Sequence, residues 1–274
     1  MVAWSRIKGF IIDMDGVLWH GKQPMPGLVD FFATLRRCQK RFVLATNNAS
    51  QTQQQYVDKL ARFGVTVSPD EILTSSMATT HYLLQQCGQD KRTAYVIGEA
   101  GLTEPMRIAG FELTAPIATT KLSPVDMVVC GLDRELTWNK LATATLHLHQ
   151  GAAFYATNGD TTLPTELGNM IGNGGTIAAL TAATGRVPMV IGKPGPILYQ
   201  QALALLGLAK EETIAIGDRL DTDILGAVNT GVESILLLSG ISSRADIAEV
   251  TYSPTWVMEN IQAMTSALKS QQLL

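Results

Sequence analysis

The sequence is short of cysteine, of net charge and of long uninterrupted apolar runs. Cysteine occurs three times in 274 residues, at Cys38, Cys87 and Cys130. An odd number, widely spaced and set in apolar or helical surroundings, excludes a disulfide framework and suits a reducing compartment. Lysine and arginine number 21 against 24 acids, a net charge of −3. Such a balance gives no general electrostatic pull toward nucleic acid or an anionic membrane, so neither is an expected partner and any anionic substrate must be met by local groups. Asp13 and Asp15 break the apolar stretch near the N-terminus too soon for a signal peptide or a transmembrane helix. The expected address is the cytoplasm. No low-complexity linker marks a domain boundary, and there is no P-loop: six residues rather than four separate Gly185 from Gly192, and Pro194 occupies the place of the metal-binding hydroxyl.

What the chain does have is alternation. The short apolar runs GFII, RFVLAT, AYVIG, VDMVVCG, AAFYATN, VPMVIG, TIAIGD and ESILLLS read as buried strands. Longer amphipathic stretches lie between them, and Gly64, Gly110, Gly151, Gly185, Gly207 and Gly231 stand where left-handed helix ends belong. The repeat predicts an α/β fold with parallel sheets covered by helices and ligands beyond the carboxyl ends of the strands.

Four such strand ends carry polar residues. Asp13 and Asp15 follow GFII; alternate positions share one face of a strand, and Gly16 permits a sharp turn after them. Two carboxylates so close call for a hard divalent cation such as magnesium. Thr46 ends RFVLAT and is followed by NNASQTQQQY, which predicts a hydroxyl and backbone N–H groups gathered at a helix N-terminus, an anion site. Lys193 follows VIG in a loop held by Pro194 and Pro196, and Asp218, Asp221 and Asp223 follow TIAIG. Each has an ordinary explanation taken singly, as an Asp-Gly turn, a helix cap or a solvated lysine. All four at carboxyl ends of parallel strands is a much less ordinary coincidence.

The order Asp-x-Asp-Gly, Thr, Lys, Gly-Asp-x4-Asp resembles the haloacid dehalogenase superfamily. The words DMDGVLWHG, ATNNAS, VIGKPGP and GDRLDTDI are similar to its subclass IIA, the NagD-like and p-nitrophenyl phosphatase group, over essentially the whole chain. The resemblance implies a Rossmann-like core formed by residues 1–76 and 187–274, with an inserted α/β cap over residues 77–186. It implies that Asp13 is the nucleophile, forming an aspartyl-phosphate, and that Asp15 is the acid and base. Magnesium would be held by Asp13, the backbone carbonyl of Asp15 and Asp218, with Asp223 orienting the set. Thr46 with the N–H groups of Asn47 and Asn48 would hold the phosphate, and Lys193 would supply positive charge. The dehalogenases that name the superfamily lack the second acid, so Asp15 favours phosphate chemistry over C–halogen cleavage.

The expected activity is therefore magnesium-dependent hydrolysis of small phosphate monoesters, such as a nucleotide, phosphoglycolate, a sugar phosphate or p-nitrophenyl phosphate. A phosphotransferase or mutase sharing the intermediate is the alternative enzyme; a phosphate-binding regulatory module that has lost catalysis is the alternative of another class. Caps of this group often pair, so a homodimer through the cap is among the partners implied. Asn158 and Asp160, in ATNGDTTLPTE, are expected on a cap loop that faces the active site and contacts the leaving group. GNGGTIAA, from Gly172 to Ala179, is set aside as a dinucleotide fingerprint because no strand is expected before it and Ile177 replaces the third glycine. His147 and His149, two apart on a helix, do not face each other and read as core or surface residues.

Overall fold

The computed structural model describes residues 4–88, 92–117, 122–165 and 167–271. The chain divides into two compact units, one of residues 1–46, 54–73 and 193–274 and one of residues 47–53 and 74–192.

The first unit is built on a six-stranded sheet ordered Trp256–Met258, Glu233–Leu237, Thr213–Gly217, Gly9–Ile12, Arg41–Thr46 and Ile72–Thr74. The ladders that join the first five of these are parallel, with Ile12 beside Ile216 on one side and Leu44 on the other. Alternation sends Phe10, Ile12, Phe42, Leu44, Ile214 and Ile216 into one apolar cluster with residues of the helices Leu28–Arg37 and Ile261–Gln271. Gly9 lies on the opposite face, where the absent side chain lets Leu206 and Leu208 approach beside the helix Pro196–Leu206. Both faces are thus covered, which is why the central strands are apolar throughout and give no amphipathic signal. Each large side chain fully buried here contributes about 1.5–3 kcal/mol relative to exposure.

The second unit has a five-stranded parallel sheet ordered Met189–Val190, Ala153–Ala156, Met127–Cys130, Thr93–Ile97 and Glu112–Thr114. Tyr95, Ile97, Val128 and Cys130 face a cluster with Leu148 and Leu180, from the helices Trp138–His149 and Asn173–Thr184. Ala94, Met127 and Val129 face a cluster with Leu83, Leu102 and Met106, from the helices Ser75–Gln86 and Ala100–Ile108. A separate antiparallel ribbon pairs Thr162–Thr165 with Gly168–Ile171. His147 is buried against the Tyr95 ring and His149 is exposed. All three cysteines are free thiols. No described helix is long and apolar enough to cross a membrane.

Each of the eight apolar runs forms a strand, and the six helix-end glycines all have positive φ, from 59° at Gly207 to 98° at Gly151. Two local expectations are corrected. The helix after Thr46 begins only at Gln53, so Asn47 and Asn48 lie in a loop and not at a helix N-terminus. Polar side chains there make their own turn: the Asn48 Oδ1 accepts from both the N–H and the hydroxyl of Ser50, at 2.9 and 2.8 Å. A strand, Gly168–Ile171, does precede GNGGTIAA, but it runs antiparallel in a two-stranded ribbon and offers no βαβ crossover for a dinucleotide.

Candidate active site

The strand Gly9–Ile12 is buried along its length and delivers Asp13 directly at its carboxyl end. The backbone N–H of Asp13 still donates to the carbonyl of Ile216 at 2.8 Å, so the sheet fixes where its side chain starts. Next to it, Arg41–Thr46 brings the Ala45 carbonyl and the buried Thr46 to the same edge. Lys193 enters from a separate strand-to-helix loop. Its ammonium donates to Asp13 Oδ1 at 2.5 Å, Asp223 Oδ1 at 2.6 Å and the Ala45 carbonyl at 3.1 Å. With 3% exposure, this lysine is not the solvated side chain that a loop lysine usually is.

Asp218 follows the strand Thr213–Gly217 and is 1% exposed. Its Oδ2 accepts from the Ile241 N–H at 2.8 Å, while its Oδ1 has no hydrogen-bond partner among the described residues. Two glycines make room for it. Gly16 turns the chain with φ 85°, and a Cβ there would collide with the Asp218 carboxylate; a Cβ on Gly240 would collide with the same group.

Asp223 sits on a wide π-type turn, Leu220–Ile224, and commits both oxygens: Oδ1 to Lys193, Oδ2 to the N–H groups of Asp218 and Arg219 at 3.2 and 3.1 Å. Its own carbonyl accepts from the Tyr199 hydroxyl at 2.7 Å. Asp221 points away, paired with Arg219.

Acidic oxygens from Asp13, Asp218 and Asp223 lie within 4.8 Å of one another. Burial pushes the Asp13 carboxyl well above the ordinary range; Lys193 opposes this, while Asp223 and Asp218 add to it. Burial, with Asp223 next, pushes Asp218 up to about 7 against the pull of the Ile241 N–H. Burial disfavours the Lys193 charge, but Asp13 and Asp223 outweigh it and hold the ammonium well above its usual value. Lys193 therefore does not offset the burial of Asp13 and Asp218. An orphaned buried oxygen on Asp218, three clustered sets of hard oxygen donors and the raised carboxyls of Asp13 and Asp218 fit a divalent cation.

Asp15 is exposed and stands apart from this cluster by its side chain, which bonds the Trp19 indole. In the second unit, Asn47 Nδ2 donates to both oxygens of Asp160 at 3.2 and 3.3 Å, and Asn158 Nδ2 donates to the Asn47 carbonyl at 2.8 Å. The amide of buried Asn158 is thus spent on tying one loop to another. The Ala45 carbonyl, Gly240, Ile241, Tyr199 and Trp19 are contributors that motif reading missed. Trp19 and Ala45 lie within motif words; Gly240 and Ile241 act through an absent Cβ and a backbone N–H, which leave no compositional signal, and Tyr199 acts through a hydroxyl on a helix beyond the motif words.

Residues 10–112 match the family model described as haloacid dehalogenase-like hydrolase, and residues 190–264 match one described as HAD-hydrolase-like. The 5'-nucleotidase YutF of Bacillus subtilis is 34% identical over 254 residues, 93% of this chain and 96% of that protein. The crystal structure of 4-nitrophenylphosphatase from Thermotoga maritima superposes with a TM-score of 0.89 at 32% identity, covering 98% of this chain and 100% of that one. NagD from E. coli K-12 gives 0.84 at 35% identity, covering 93% and 97%. The chain belongs to the haloacid dehalogenase-like hydrolases, in their NagD-like group.

Proposed function

We propose that this protein is a phosphatase that hydrolyses small-molecule phosphate monoesters through an aspartyl-phosphate on Asp13. The observation that carries the reading is the buried Lys193 ammonium bridging Asp13 and Asp223 beside the unsatisfied oxygen of Asp218, in a chain whose relatives are named for nucleotide and nitrophenyl phosphate hydrolysis.

Asp13 attacks phosphorus and expels the alcohol, splitting one hydrolysis into two easier steps. Asp15 gives a proton to the departing oxygen and then takes one from the water that opens the acyl phosphate. Lys193 has its charge secured by two carboxylates and offers it to the phosphate oxygens, while Thr46 and the N–H groups of Asn47 and Asn48 orient them. Asn158 and Asp160 serve this by holding Asn47 in place. We assign the choice of leaving group to the second unit.

Magnesium is the cation we assign, held by Asp13, the Asp15 carbonyl and Asp218. Bound there, it supplies the charge that keeps these carboxyls ionised and offsets that of the phosphate. Asp223, with both oxygens already committed, positions Lys193 and the Asp218 backbone instead. The free cysteines support a reducing, cytoplasmic setting. Exposed Leu167, Met170 and Ile171 on one ribbon support pairing with a second copy through this unit. Sedimentation equilibrium is expected to give a two-chain mass, and a one-chain mass at micromolar concentration contradicts the pairing.

The test of the site is thermal unfolding and p-nitrophenyl phosphate turnover with magnesium and with a chelator. Asp13 and Asp218 have raised pKa values, so the folded protein holds protons that a cation must displace, and the magnesium-induced rise in Tm should grow between pH 5.5 and pH 8. Chelation should abolish turnover. A metal-independent enzyme, or a Tm rise that shrinks with pH, contradicts the assignment.

A further inference from the structure

We propose that Trp19 is the positioning residue for Asp15: its indole N–H holds one carboxylate oxygen and thereby presents the other for proton exchange with the leaving group. The inference rests on the reading of Asp15 as general acid.

Trp19 is fully buried, and its Nε1 donates to Asp15 Oδ1 at 2.7 Å. A buried indole N–H that lost this partner would be left unsatisfied, so the bond is strongly favoured from the tryptophan side. Asp15 itself is exposed, and no other hydrogen bond reaches its carboxylate among the described residues. Without the indole, no hydrogen bond among the described residues would hold one staggered position over the others, leaving the Lys59 charge to act on the carboxylate.

The turn between the two residues is fixed by backbone bonds. Gly16 N–H donates to the Trp19 carbonyl at 2.8 Å and Leu18 N–H to the Met14 carbonyl at 2.8 Å. The ring is clamped as well. Tyr56 stacks on it with centroids 6.3 Å apart at 21°, Phe63 packs at 6.1 Å, and the Lys59 ammonium lies 4.0 Å from the ring centroid. A donor that cannot move fixes an acceptor that otherwise could. The bond thus runs from a rigid core residue to a proton-transfer group whose efficiency depends on placement.

The sequence stretch that holds the nucleophile therefore also holds the support of the acid. Trp19 follows Asp15 by four residues, a spacing that the Gly16 turn converts into a parallel bridge between them.

The readout that separates positioning from packing is the dependence on leaving-group basicity. p-Nitrophenolate departs readily without a proton, whereas p-methylphenolate benefits from one. Because kcat/KM reports the formation of the aspartyl-phosphate, the ratio of kcat/KM for the p-nitrophenyl ester to that for the p-methylphenyl ester measures how well the acid works. Wild type, Asp15→Asn, Trp19→Phe and Trp19→3-benzothienylalanine are compared, the last replacing N–H by sulfur at nearly unchanged shape, so that the fold is kept even where phenylalanine disturbs it. We expect the ratio to rise about tenfold or more in both Trp19 variants and further in Asp15→Asn. An unchanged ratio in the Trp19 variants, with a raised one in Asp15→Asn, overturns the positioning role alone. An unchanged ratio in Asp15→Asn overturns the assignment of Asp15 and this inference with it.

Discussion

Asp13→Asn is expected to lower turnover by about four orders of magnitude or more while leaving the protein folded. The loss is large because the amide cannot form the acyl phosphate, and no other described carboxylate takes its place at the strand end. Asp218 spends one oxygen on Ile241, and Asp223 spends both on Lys193 and backbone N–H groups. Stability should change little. Three acids share one lysine here, so neutralising Asp13 relieves repulsion while Lys193 keeps its contacts to Asp223 and the Ala45 carbonyl. Turnover and far-UV circular dichroism on the same preparation check both halves. Retained wild-type activity rejects Asp13 as nucleophile; loss of the fold would show that its pairing with Lys193 is chiefly structural.

Lys193→Met should differ by costing stability as well as activity. Removing the ammonium leaves Asp13 and Asp223 buried without a counter-charge, a change worth about 3–5 kcal/mol at neutral pH in the metal-free protein. The pH dependence has a definite sign. The folded-state pKa of Lys193 lies above its ordinary value, so its contribution in the wild type is fully present below that value and is lost only at strongly alkaline pH. The variant's deficit should shrink on acidification, because Asp13 and Asp218, already raised, take up protons that relieve the uncompensated charge. Urea unfolding at pH 8 and pH 5.5 with chelator present should therefore show a smaller gap between variant and wild type at the lower pH. Equal gaps would mean that the lysine stabilises by packing. Turnover should fall by about 10²–10³-fold even where the variant is folded, through loss of the charge next to the phosphate.

Much of this site was legible because strand periodicity and motif order are local properties. GFII followed by Asp-x-Asp-Gly places both acids at a strand end without any knowledge of the rest of the chain, and TIAIGD does the same for Asp218. What escaped was whatever depends on chain segments meeting. The role of Gly240 is to have no Cβ beside Asp218, and Ile241 acts through its N–H; neither property depends on a side chain that composition records. The loop after Thr46 misled for a related reason. Asn48 and Ser50 close a turn of their own, and the helix starts later than the polar run suggests. The short strands Ile72–Thr74, Glu112–Thr114 and Trp256–Met258 were missed because three residues carry too little periodicity to register.

Trp19 shows the same limit from another side. It stands in plain view, four residues after Asp15, inside a motif word that gives it no role. It is fully buried, yet the one polar atom it carries is aimed at the acid. A core residue and a site residue are here the same side chain, which only the turn at Gly16 makes apparent.

The proposed function requires a phosphoryl group to pass through Asp13. A single turnover of radiolabelled p-nitrophenyl phosphate by Asp15→Asn, quenched in acid and mapped by peptide, tests it directly. This variant can accept phosphorus from a leaving group that needs no proton but lacks the base that opens the acyl phosphate. The label is predicted on the peptide that contains Asp13, in a linkage labile to hydroxylamine. Label on any other residue, or release of nitrophenol with no phosphate bound to protein at any quench time, would contradict the account.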